Sequence, residues 1–78
     1  MSSDWKTLSL PKGAKLLKSH TFSYMFRGDT FELEVDEYSN GDYFGHGEHA
    51  TDESSVIESV TGDSVKNCLE NLIKEIKT

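Results

Sequence analysis

The chain has 78 residues, a single cysteine and a formal net charge of −6. That length holds one domain burying only roughly 60% of its unfolded surface, so self-association into a homo-oligomer is expected to help stabilise it. The lone Cys68 excludes an intramolecular disulfide framework, and no run approaches the roughly 18 apolar residues of a membrane span.

Charge is unevenly divided. Residues 1–28 carry five basic residues against Asp4 alone, +4, whereas residues 29–78 carry three lysines against thirteen carboxylates, −10. The acidic part disfavours direct binding to the phosphate backbone of nucleic acid and suits a basic protein partner, although an acidic surface also serves simply to keep a small domain soluble. Met1-Ser2-Ser3-Asp4 lacks the basic and apolar regions of a signal peptide, and with the reduced cysteine this predicts a cytoplasmic protein.

In chain order, residues 1–14 read as a basic lead-in, partly disordered or adding a short edge strand through Trp5, Leu8 and Leu10; residues 15–78 read as one domain. From His20 apolar residues alternate, with Phe22, Tyr24 and Phe26 followed by Phe31, Leu33 and Val35. Gly28-Asp29 fits a two-residue hairpin loop with glycine first, which pairs Phe26 with Phe31, Tyr24 with Leu33 and Phe22 with Val35. Asn40-Gly41 fits a type I′ hairpin turn and sets Tyr38 opposite Tyr43 and Glu37 opposite Phe44. Continued, that register puts His46 and Glu48 on the core face and Gly45 and Gly47 on the other. A buried Glu48 is costly, so a bulge at a glycine or an early strand end is expected there.

After the polar Thr51-Asp52-Glu53-Ser54 loop, Ser55 to Val60 is β-prone. Asp63 or Ser64 then supplies a helix start signal, and Val65, Cys68, Leu69, Leu72, Ile73 and Ile76 recur with helical spacing. The predicted architecture is α+β: a small two-layer domain in which an antiparallel three- to four-stranded sheet carries one C-terminal helix on one face. Cys68 falls on the apolar stripe as a small buried hydrophobe.

Functional residues are expected on the open sheet face. Glu32, Glu34 and Asp36 alternate away from the core, with Tyr38, Tyr43, Met25 and the glycines beside them. Acids for steering and tyrosines for anchoring suit a basic protein chain, against the plain alternative of a solvated strand face. Unpaired outer strands offer a further route to partners. The 44–53 segment invites a metal or small-ligand reading through His46, Glu48 and His49, but on a strand His49 faces away from the other two. An acidic inhibitor that mimics nucleic acid is a third reading. Catalysis is not expected: no nucleophile has a base beside it, Cys68 lies on the buried face, same-face carboxylates on one strand are roughly 6.5 to 7 Å apart, and no cofactor motif is present.

The run Val60-Thr61-Gly62-Asp63-Ser64, followed by Leu69, Asn71, Leu72 and Ile76, resembles the Gly-Asp-Ser/Thr turn and helix of HicB-like antitoxins, which set that helix after a small antiparallel sheet. The resemblance implies a small acidic module that neutralises a basic, RNA-cleaving toxin by covering its active surface. Members of that family usually carry a proline-glycine turn before this segment, where Ala50 to Ser55 stands here. They also carry a further strand after the helix and often a DNA-binding part, before which this sequence ends, so the resemblance does not imply operator binding. The matching residues are turn and core positions and transfer no toxin contacts.

Overall fold

The computed structural model describes residues 4–51 and 56–76. Four antiparallel strands, β1 (Leu17–Phe26), β2 (Asp29–Tyr38), β3 (Tyr43–His49) and β4 (Val56–Gly62), form one sheet in sequential order, followed by helix α1 (Val65–Ile76). The α+β prediction holds, with four strands. Residues 52–55, where the polar loop and Ser55 were expected, lie outside the described residues. The lead-in contributes a short 3-10 helix at Asp4–Thr7; among the described residues before Leu17 there is no edge strand.

Both hairpins depart from the expected registers. At the first, Phe26 pairs with Asp29, so the loop is Arg27-Gly28, with φ of 53° and 84°. A type I′ turn needs both central residues left-handed, and its twist matches that of the strands. Tyr24 therefore faces Phe31, Phe22 faces Leu33 and His20 faces Val35. The shift is by two residues, so each side chain keeps its predicted face.

The second shift is by one and has larger consequences. Tyr38 N donates to Asp42 O at 2.9 Å, Gly41 N donates to Tyr38 O at 3.0 Å, and Gly41 has φ of 101°. This is a three-residue loop, Ser39-Asn40-Gly41, closed by a left-handed glycine. Asn40 accepts a hydrogen bond from Asp42 N at 2.9 Å through its side chain, an Asx-type turn, and does not adopt the positive φ a type I′ turn requires. Glu37 thus faces Tyr43 and Asp36 faces Phe44. Because side chains alternate, the single added residue exchanges the two faces of β3. Gly45, Gly47 and His49 come to the helix side opposite Val35, Leu33 and Phe31, while Phe44, His46 and Glu48 move to the open side. The extra residue in the turn, not a bulge in β3, removes the cost of burying Glu48.

The helix comes close to the sheet over Gly45. A Cβ on Gly45 would come within 3.0 Å of Val60 Cγ2 and 3.1 Å of Leu72 Cδ1. Phe31, Leu33, Val35, Cys68 and Leu72 form the buried core, flanked by half-buried Tyr24, Phe26, Ile57, Val60, Leu69 and Ile76. The helix packs chiefly on β4, then on β3 and β2, so β1 lies at the margin of its footprint and Phe22, although on the helix side, stays 38% exposed.

The Gly62-Asp63-Ser64 turn has a local physical explanation. Ser64 Oγ accepts from Asn67 N at 3.0 Å as the N-cap, and Asn67 Oδ1 accepts from Asp63 N at 3.1 Å, a reciprocal cap. A side chain at Gly62 would sit 2.7 Å from Asn67 Oδ1 and 3.0 Å from Cys68 N, so the close strand-to-helix crossing selects glycine. Ser64 is therefore the helix start.

Candidate functional site

Even-numbered residues of β2 point away from the helix, which places Glu32, Glu34, Asp36 and Tyr38 on the open face as predicted. The β3 register then decides their neighbours. Glu48 lies directly opposite Glu32, His46 opposite Glu34 and Phe44 opposite Asp36. Like charges facing each other across a ladder are destabilising, so the Glu32–Glu48 pair costs the fold stability without a structural return.

The surrounding contacts are few and mostly uncharged. Ser19 Oγ donates to Asp36 Oδ1 at 2.9 Å and Ser23 Oγ donates to Glu32 Oε1 at 3.2 Å. His46 Nε2 stands 3.5 Å from Glu34 Oε2 and 3.7 Å from Asp36 Oδ2, too long for strong hydrogen bonds but near enough for attraction when the ring is charged. Among the described residues, no lysine or arginine pairs with Glu32, Glu34, Asp36 or Glu48. A shallow depression of about 210 Å³ lies between Glu32, Glu34 and Glu48, lined also by Thr21, His46 and Gly47.

An aromatic corner closes one end of the acidic row. Tyr38 and Phe44 meet edge to face with centroids 5.4 Å apart. They border a cleft of about 490 Å³ whose other walls include Leu10, Ala14, Leu16 and Asp42, and Phe44 leaves 41% of its surface exposed. Phe44 is a site residue that sequence reasoning missed, because its face depends on the turn.

Tyr43 does not belong to this face. It sits on the helix side opposite Glu37, where its hydroxyl donates to Glu37 Oε2 at 3.1 Å and accepts from Lys6 Nζ at 3.2 Å. Lys6 also pairs with Glu37, and His20 Nε2 donates to Glu37 Oε1 at 2.9 Å. Lys6 foremost, then His20, holds the Glu37 carboxyl down at about 2, and the same contact with Glu37 raises the Lys6 ammonium above its ordinary value. This cluster ties the lead-in to the end of the sheet. Charge and hydrogen bonding are satisfied within it, which marks a structural clamp. Gly45 and Gly47, expected beside the acids, lie on the helix side instead, Gly45 close to Leu72 and Gly47 close to Leu33 and Ile57.

The proposed metal set His46, Glu48 and His49 does not converge. His49 is on the helix side, edge-on to Phe31 at 4.9 Å and with Nε2 3.2 Å from Asp29 Oδ1. A different trio does come together: one donor atom each from Glu34, Asp36 and His46 lies within 4.8 Å of the others. It supplies three ligands from two rigid strands and leaves any remaining positions to water or a partner.

Among the described residues, no helix is long and apolar enough to cross a membrane. No protein-family model, curated protein or solved structure matches the chain.

Proposed function

We propose that the chain is a small acidic protein-binding module that takes a basic protein partner on its open sheet face and performs no chemistry itself. The observation that carries this reading is the row Glu32, Glu34 and Asp36 with Glu48 set directly against Glu32, unpaired by lysine or arginine among the described residues. A fold that retains such repulsion gains from it when cationic groups arrive: lysines and arginines of a partner relieve the repulsion and speed encounter. Tyr38 and Phe44, beside the 490 Å³ cleft, offer an apolar anchor point next to the charges.

The antitoxin-like form of this reading, neutralisation of a basic RNA-cleaving protein, draws on the Gly62-Asp63-Ser64 resemblance and is narrower. Capture from lysate at low and high salt, followed by mass spectrometry, tests both. The expected result is a basic protein lost at high salt and lost when Glu32, Glu34 and Asp36 are changed to lysine. Unchanged recovery by that triple variant overturns the assignment. If the retained protein acts on nucleic acid, the acidic row works as a mimic of the phosphate chain.

The second reading, a divalent cation at Glu34, Asp36 and His46, follows from their 4.8 Å convergence. Zinc titration followed through the His46 ring resonances decides it; resonances unmoved at excess zinc remove the reading.

A further inference from the structure

We propose that two copies of this chain associate about a two-fold axis by antiparallel pairing of their β1 edges, joining two four-stranded sheets into one of eight strands. β1 and β4 are the two sheet edges, and they differ sharply. β4 is seven residues long and carries Glu58. It is also broken by a bulge: Gly45 pairs with Val60 and Gly47 with Ile57, so Glu58 and Ser59 stand against His46 alone. Charge, short length and a bulge are the devices that keep an edge from pairing. β1 is longer and has no bulge, and its charge lies next to one end of the strand. Its ten residues pair with β2 without interruption, contain neither proline nor carboxylate, and carry one formal charge, Lys18.

The turn fixes which backbone groups are free. In a two-residue hairpin the flanking residues, here Phe26 and Asp29, exchange hydrogen bonds, so even-numbered residues of β1 bond inward to β2. The N–H and C=O groups of Ser19, Thr21, Ser23 and Met25 therefore point outward. An axis through Phe22 sets Phe22 against Phe22 of the second copy, Thr21 against Ser23 and Ser19 against Met25. An isologous contact brings its axial residue against itself, which suits an apolar side chain and would penalise a charged one. Phe22 is the apolar residue at the strand centre that the helix leaves 38% exposed. Lys18 falls opposite Phe26 of the second copy, far from its own counterpart.

The symmetry puts both helices on one side and both acidic faces on the other, so the dimer leaves the partner-binding face open.

Sedimentation equilibrium is expected to give twice the 8.8 kDa chain mass. Ser23→Pro removes one outward N–H, no backbone bond to β2 and only the exposed Ser23–Glu32 side-chain hydrogen bond, so it is expected to yield a folded monomer, checked by circular dichroism. Phe22→Lys and Phe22→Glu are each expected to be monomeric, and an equimolar mixture to recover the dimer mass, because residue 22 meets residue 22. A wild-type mass of 8.8 kDa at all concentrations, or dimers that persist in both Ser23→Pro and Phe22→Lys, overturns the proposal. Charge reversal of Glu32, Glu34 and Asp36 leaves the mass unchanged, so this test and that of the acidic face fail separately.

Discussion

Gly47 lies across the ladder from Leu33, and a Cβ built on Gly47 would come within 2.7 Å of Leu33 Cδ2 and 3.1 Å of the Glu32 carbonyl oxygen. Leu33 is buried in the core and cannot swing out without opening a gap against Leu72. Gly47→Ala is therefore expected to destabilise by about 1–3 kcal/mol, the usual range for overpacking. Urea denaturation checks this through a lowered midpoint at unchanged slope, and an unchanged midpoint would show that Leu33 has room to shift.

Among the described residues Arg27 is the non-glycine held at positive φ, 53°, as the first position of the Arg27-Gly28 turn. Left-handed backbone costs an ordinary L-residue about 1–2 kcal/mol, and asparagine tolerates it better. Arg27→Asn is expected to raise the melting temperature, with a gain of up to about 1 kcal/mol. Loss of the guanidinium stacked over Phe26 at 5.0 Å subtracts up to about 0.5 kcal/mol from that gain. A lower melting temperature would assign the turn's stability to the stacking.

The Glu37 carboxyl titrates at about 2 in the fold, held down first by its hydrogen bond to Lys6 and then by His20 and Tyr43, against an ordinary value of 4.5. Between these values the unfolded chain binds more protons than the native one, so stability from Glu37 is full above pH 4.5 and is lost as pH falls toward 2. Stability measured across that window should fall more steeply for the wild type than for Glu37→Gln. Parallel curves would place the acid sensitivity on other carboxylates.

Glu48→Gln removes the repulsion with Glu32 and is expected to stabilise the chain by about 0.2–1 kcal/mol, most at low salt. The same change is expected to weaken capture of a basic partner. Tighter folding with weaker binding is the signature of an acid kept for recognition; a loss of stability instead would show Glu48 to be structurally needed.

Cys68 is buried against the sheet, and burial first, with Asp63 second, pushes its thiol above the ordinary value. Alkylation is expected to be negligible in the native protein and to rise along the unfolding curve. Rapid labelling in native buffer would show that the helix detaches readily.

Much of the architecture was legible in local signals. The helical spacing from Val65 to Ile76 and the alternation through Phe31, Leu33 and Val35 each report on one segment and its buried side, and both agree with the structure. The acidic strip was equally legible, since Glu32, Glu34 and Asp36 follow from alternation within a single strand. Membership of the site beyond that strand was not. Phe44, Glu48 and His46 reach the open face, and Tyr43 leaves it, because of one residue in a turn whose Asn-Gly pair looks alike in either loop type.

By itself, then, the sequence determined what period-two and helical repetition can encode: a meander of strands, one capping helix, a buried cysteine and an acid-bearing strand. Only the tertiary structure decided which face of β3 carries its histidines and glycines. The reason is physical: the two turns differ by a single residue, and that residue decides whether β3 turns its glycines, with Gly45 close under Leu72 of the helix, or His46 and Glu48 toward the core side, where a carboxylate is costly.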